Sequence, residues 1–281
     1  MGLGLMGGSF ALDLKSVCSS SKIYGHDNSI KNLEKALKIG LIDEIIDLSK
    51  LREMDVVVVA VPVDVSLNLV RKILDLIRDD SIVFDVGSTK SPICSFLKNH
   101  PKRKNFLACH PMAGTEFSGP EAATTGLYLN KTNIICEVDK TCSILFKKAL
   151  DIFNKLKMKN VFMDPISHDI HAAYVSHLSH VSSFMLGKTV IEKEKNEKNI
   201  FDLAGSGFES TVRLAKSSPE TWTPIFLQNR KNIAEAIEEY VTTLEQFKKI
   251  IIDGNYAELK SILENTNRIK EILNKNNNNE K

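Results

Sequence analysis

His110 closes the apolar run Phe106–His110 and opens His110-Pro111-Met112-Ala113-Gly114-Thr115-Glu116-Phe117-Ser118-Gly119. Histidine titrates near neutrality, so at the end of a strand it suits a general base that takes a proton from a hydroxyl. Asp85-Val86-Gly87-Ser88-Thr89-Lys90 follows another apolar run, again where open α/β sheets gather their ligands. Taken alone, Ser88 reads as a turn or helix-cap serine. Farther along stand His168-Asp169, Ser176-His177-Leu178-Ser179-His180, and Gly205-Ser206-Gly207-Phe208-Glu209 leading to Arg213 and Trp222. A guanidinium matches a carboxylate in bidentate geometry, although Arg213 alone reads as a helix-surface arginine and Trp222 alone as core. His168 and His171, like His177 and His180, share a helical face at i and i+3. Without a third ligand or an HExxH spacing such pairs are poor zinc sites, and no metal is expected.

At the other end of the sequence, Gly2-Leu3-Gly4-Leu5-Met6-Gly7 opens an apolar helical stretch, and Asp27 follows Gly7 by twenty residues. Gly2 and Gly4 permit a tight turn and close approach of a pyrophosphate, Leu5 and Met6 belong to that cofactor turn, and Gly7 lets the following helix, whose N-terminus faces the phosphates, pack on the sheet. Asp27 is placed to accept hydrogen bonds from an adenosine ribose and would repel a 2′-phosphate, which favours NAD over NADP. The alternative is a glycine turn without a ligand. The fingerprint requires a strand before its turn, and here the turn starts at residue 2. The first strand is therefore expected to be missing or to lie upstream.

The elements that must hold these residues follow from periodicity. Candidate strands are Lys22–His26, Asp55–Val61, Ser81–Val86, Phe106–His110, Asn133–Val138 and Asn160–Met163. Helical stretches at Gly8–Ser19, Ser29–Ile39, Val65–Ile77 and Thr141–Lys157 lie between them. This is an α/β pattern: a Rossmann-like, mostly parallel sheet over residues 1–164. Past Asp164-Pro165 only helical periodicity remains, which predicts an all-helical domain over 165–273. Ile233, Ile237, Tyr240, Val241, Leu244, Phe247 and Ile251 form an apolar stripe suited to a core or a dimer interface. The asparagine-rich segment 274–281 is expected to be disordered.

Composition narrows the partners. The 281 residues are 43% hydrophobic and 26% charged, with a net charge of +2, which excludes a disordered chain and gives no reason to expect nucleic acid or an anionic membrane as partner. Cys18, Cys94, Cys109, Cys136 and Cys142 are scattered and never spaced as CxxC. They read as small buried hydrophobes in a reducing cytoplasm rather than as a disulfide framework or a zinc site. The longest apolar run, Val56 to Val63, is too short to span a bilayer.

GSTK, then HPMAGTE, then HD, SHLSH and G-S-G-F with a following arginine, in that order after the glycine turn, resemble the prephenate/arogenate dehydrogenase family of tyrosine biosynthesis. The resemblance runs over essentially the whole chain. It implies an oxidative decarboxylation: hydride leaves C4 of a cyclohexadienol for NAD, the C4 hydroxyl loses its proton, and CO2 departs as the ring becomes aromatic. Prephenate would give 4-hydroxyphenylpyruvate, and arogenate would give tyrosine. By resemblance His110 is the catalytic histidine, and Ser88 is the serine that bonds the same hydroxyl. Arg213 binds a substrate carboxylate, and His180 lines the substrate pocket. Ser179 stands where the family has proline. Thr115 and Glu116 are expected at the pocket rim, with Glu116 in a gating ion pair, and Trp222 is expected to reach a neighbouring subunit's site. The resemblance also implies a homodimer built through the helical domain. The competing readings are another β-hydroxyacid-type dehydrogenase, and a non-catalytic NAD-binding paralogue.

Overall fold

The computed structural model describes residues 1–278. In chain order the regular elements of the first part are α1 (Leu5–Val17), β1 (Tyr24–Gly25), α2 (Ile30–Lys38), β2 (Glu44–Ile45), β3 (Val56–Val59), α3 (Val63–Leu76), β4 (Ile82–Asp85), α4 (Ser91–Leu97), β5 (Phe106–Pro111), β6 (Thr132–Cys136), α5 (Ser143–Lys155) and β7 (Lys159–Met163). There follow α6 (Pro165–Ala172), α7 (Leu178–Glu194), α8 (Ser206–Val212), α9 (Pro219–Gln228), α10 (Arg230–Ile252), α11 (Tyr256–Thr266) and α12 (Ile269–Asn278). The chain divides into two compact units, Met1–Arg230 and Lys231–Lys281.

In the first unit, five strands lie in the order β3-β4-β5-β6-β7, parallel except where β6 runs antiparallel to β5. β4 and β5 are buried at every residue, as strands covered on both faces must be. On one face Phe84 meets Phe10 of α1 and Phe153 of α5 edge-on, with ring centroids 5.5 and 5.1 Å apart. On the other, Val70, Ile73 and Leu74 of α3 and Ile93 and Leu97 of α4 pack with Val57, Val59 and Val83. Each such fully buried side chain contributes roughly 1.5–3 kcal/mol of transfer free energy. β4 and β5 are parallel neighbours, so the loop carrying Ser88 and the end of β5 carrying His110 leave the sheet at one edge. Among the described residues no strand follows Met163, as expected from the sequence.

The segment Lys22–His26 contributes only a two-residue ladder, pairing in parallel with β2, which periodicity did not reveal because Glu44–Ile45 is too short to show alternation. Met1 and Gly2 lie between β3 and the residue that follows β1. The Met1 amino nitrogen donates to the Val58 carbonyl (3.0 Å), Ala60 N–H donates to Met1 (2.8 Å), and Gly2 N–H donates to His26 (2.9 Å). A cavity of about 430 Å³ lies between β1 and β3, lined by Leu14, Ile23, Tyr24, Met54, Val56 and Val58 among others.

α6 begins at an N-cap: Asp164 accepts from Ile166 N–H and Ser167 N–H (3.0 and 2.9 Å), and Pro165 occupies the first turn. A π turn at Ala173–His177 joins α6 to α7. In an uninterrupted α-helix, positions nine apart such as His168 and His177 would lie about 180° apart; one residue absorbed in a π turn reduces that to about 80°. Both imidazoles are consequently buried, whereas His171 faces solvent and does not share the face of His168. In the second unit, Tyr240, Val241, Leu244 and Ile251 of α10 remain 40–55% exposed. The segment expected to be disordered from Asn274 continues α12 to Asn278, because extending a helix already formed costs only the modest asparagine propensity penalty. Residues 279–281 lie outside the described residues.

Candidate active site

The loop after β4 is pinned from within by Asp85. Its carboxylate accepts from Gly87 N–H (3.0 Å) and Cys109 N–H (3.2 Å) and pairs with the ammonium of Lys90, a fully buried lysine. Lys90 also donates to the Cys109 carbonyl (2.7 Å), so one cation ties this loop to β5. A buried charge is tolerated only when paired and hydrogen-bonded in this way. Ser88 is half-buried on the same loop, and its hydroxyl makes no hydrogen bond among the described residues. Thr89 donates to Gln228 at the end of α9 (2.7 Å).

His110 is buried at the end of β5, and its Nδ1 lies 2.8 Å from Nε2 of His168 on α6. Burial drives the His110 pKa well below the ordinary histidine value, and His168, Lys90 and His177 push it the same way. The imidazole is therefore neutral at physiological pH, as a base must be. Burial alone would raise the Asp169 carboxyl. Hydrogen bonds from His168 and from the N–H groups of Lys90 and Ser91 outweigh it and hold Asp169 below its usual range. Asn229 donates to the Asp169 carbonyl (2.7 Å) and lies 3.1 Å from His177 Nδ1, joining α9 to the same network.

A second group of expected site residues comes together on the helices. Trp222 stacks on His180 of its own chain, with centroids 3.4 Å apart and planes 23° from parallel. Burial lowers the His180 pKa, and the nearby Arg213 lowers it further against the opposing bond to the Ser176 carbonyl. Arg213 donates to Glu116 at 2.7 Å; the guanidinium is half exposed and the carboxylate 15% exposed. Thr115 lies beside Glu116 and accepts from Phe117 N–H (3.3 Å). Sequence reasoning left Lys90, His168, Asp169 and Asn229 without settled tasks. Only the adjacent His-Asp pair hinted at this network.

Two family descriptions match nearly the whole chain: prephenate dehydrogenase, nucleotide-binding domain, over residues 10–162, and prephenate dehydrogenase, dimerization domain, over residues 164–265. The chain belongs to the prephenate dehydrogenase family. It is 30% identical over 258 residues to a prephenate dehydrogenase of Bacillus subtilis, covering 89% of this chain and 68% of the relative. It is 34% identical to the prephenate dehydrogenase of Aquifex aeolicus crystallised with hydroxyphenyl propionate and NAD+, with a TM-score of 0.88 over 96% of this chain and 95% of that one. A crystal structure of Synechocystis arogenate dehydrogenase aligns at 27% identity and a TM-score of 0.76, covering 97% and 98%.

The glycine turn fits the dinucleotide such a domain holds. Gly2 has φ +80°, a conformation that only glycine adopts freely, and a Cβ there would strike the Ala60 carbonyl. A Cβ at Gly7 would strike the Gly2 carbonyl. Gly4 differs, because a Cβ there would meet nothing nearer than Gly119 N at 3.9 Å. Its lack of a side chain leaves space at the start of α1, where no side chain caps the free N–H groups. Leu5 and Met6 form that first turn. Asp27 accepts from Leu3 N–H (2.9 Å) through one oxygen and from Ser29 N–H (2.9 Å) through the other. It therefore holds the turn in shape as well as offering its remaining lone pairs outward.

Proposed function

We propose that His110 is the base of an oxidative decarboxylation carried out at the edge where β4 and β5 end. The chain is an NAD-dependent dehydrogenase, and prephenate or arogenate is its substrate. NAD bound at the α1 turn supplies the hydride acceptor. His110 takes the C4 hydroxyl proton, and Ser88, whose hydroxyl has no competing partner among the described residues, donates to or accepts from the same oxygen. As the hydroxyl becomes a carbonyl and hydride departs, the ring carboxylate leaves as CO2; its bonding pair aromatises the ring to a phenolate, and the proton held by the base returns to that oxygen. Arg213 binds a substrate carboxylate after exchanging it for Glu116. His180, held flat against Trp222, forms the pocket wall, and Thr115 and Glu116 its rim.

The observation that carries this reading is His110 itself: buried at a strand end, kept neutral, and fixed through one ring nitrogen while the other makes no hydrogen bond among the described residues. Prephenate, arogenate and short β-hydroxyacids should be offered in parallel with NAD. NADH formation with one of the first two, accompanied by CO2 release, is expected; activity confined to the hydroxyacids would overturn the reading.

The exposed apolar stripe of α10 supports assembly as a homodimer, which sedimentation at micromolar concentration checks. Among the described residues no helix is long and apolar enough to cross a membrane, and the five free thiols are in keeping with a cytoplasmic enzyme.

A further inference from the structure

Behind His110 stands a row of polar groups that base catalysis alone does not require. His110 Nδ1 is 2.8 Å from His168 Nε2, and His168 Nδ1 is 2.8 Å from Asp169 Oδ1. His168 and Asp169 are 1% and 3% exposed. Asp169 is fixed independently of the histidines: its Oδ1 accepts from Lys90 N–H (2.8 Å) and its Oδ2 from Ser91 N–H (2.9 Å).

The direction of each bond follows from these positions. An ionised carboxylate can only accept, so His168 Nδ1 carries the proton in its bond to Asp169. With Nδ1 of His168 engaged as the donor, its Nε2 is left to accept, and His110 Nδ1 donates to it. The proton of His110 is thereby placed on Nδ1, which leaves Nε2 as its basic nitrogen.

We propose that Asp169 and His168 are positioning residues that lock His110 in its Nδ1–H tautomer and accept its Nδ1 proton during turnover. The substrate O–H breaks as an N–H bond forms at His110 Nε2. The His110 Nδ1–H breaks as an N–H bond forms at His168 Nε2. His110 ends neutral, and the charge rests on His168 beside the Asp169 carboxylate. The surroundings favour that outcome. The titratable groups that act on His110 are His168 from α6, Lys90 from the loop after β4 and His177 from the π turn; none is an anion, and the Lys90 ammonium opposes a cation on its ring. Asp85 already pairs with Lys90, and Asp169 is the carboxylate that reaches His168.

This inference rests on His110 being the base, and the test separates the two. Full-length protein carrying ¹⁵N-histidine, saturated with NAD, is examined by long-range ¹H–¹⁵N correlation at neutral pH, with His110 assigned from the spectrum of His110→Asn. The Nδ1–H tautomer is expected at both His110 and His168. Asp169→Asn should switch His110 to Nε2–H and lower kcat by roughly 10²–10⁴-fold, the scale seen when a triad histidine is held in the wrong tautomer, with KM and NAD affinity within two-fold. His168→Asn, which leaves the Asp169 anchor in place, should lower kcat and move the acid limb of the kcat/KM profile. A His110 found as Nε2–H in the unsubstituted protein would overturn the proposal. So would a His168→Asn variant with unchanged kcat and pH profile. If the Nδ1–H tautomer is seen but no cyclohexadienol is turned over, the reading of function fails and the tautomer assignment stands.

Discussion

Acid should destabilise this protein through a residue that need not touch substrate. His177 is fully buried, and its Nδ1 accepts from Asn229 at 3.1 Å, which places its proton on Nε2, where no partner is present. Burial lowers its pKa to about 4; Asp169 opposes the shift, and His168 and His180 add to it. In the unfolded chain the value returns to about 6.5. Between these values the unfolded state binds a proton that the folded state lacks. Stability therefore falls as pH drops from about 6.5 towards 4. Integrating this one difference from pH 7 to pH 5 gives a loss of about 2 kcal/mol. His110 adds loss of the same sign, since its pKa is also depressed. The assay is urea unfolding at pH 7, 6 and 5 for the parent chain and for His177→Gln. The parent should lose at least ~2 kcal/mol over that range, and the variant about 2 kcal/mol less than the parent. Equal losses would mean that His177 is not held neutral by its surroundings and would refute the reasoning.

Two further outcomes follow from the geometry of the turn and the ion pair. Gly4→Ala should leave unfolding stability within about 0.5 kcal/mol, because its Cβ enters open space, yet weaken NAD binding measured by calorimetry. A large loss of stability, or unchanged affinity, would show that Gly4 does not face the cofactor. Glu116→Gln should release Arg213 and lower KM for the carboxylate substrate by about 1.5- to 5-fold, since a half-exposed pair of this kind is worth about 0.2–1 kcal/mol. A raised KM would mean that Glu116 assists binding rather than competing for Arg213.

The parts legible in the sequence are those whose signal is local. Val56–Val59, a run of β-branched residues, and the apolar stretch ending at His110 announced strands, and both are there, although β3 stands at the end of the five-stranded order rather than at its centre. The glycine spacing announced a turn, which the collisions around Gly2 and Gly7 explain. Two-residue strands such as Glu44–Ile45 carry no periodicity and could not be read. The network behind His110 was hidden for a different reason. Lys90, His168 and Asn229 lie on three elements far apart in sequence, and a π turn rotates the second histidine pair in a way that heptad-like counting cannot foresee. Arg213 and Glu116, separated by 97 positions, were each singled out, but their mutual bond is a property of the fold. Trp222 and His180, 42 positions apart, were likewise each singled out, and their stacking on one another is again a property of the fold.

The central claim is that His110 removes the substrate proton in an NAD-dependent oxidative decarboxylation. It is tested most directly by comparing His110→Asn with the parent chain in steady-state NADH formation from prephenate and arogenate, alongside calorimetric titration with NAD. The account predicts that NAD affinity is unchanged and that kcat falls by at least ~10²-fold, the contribution expected of a positioned base. A variant that binds NAD normally and turns over as fast as the parent would contradict it.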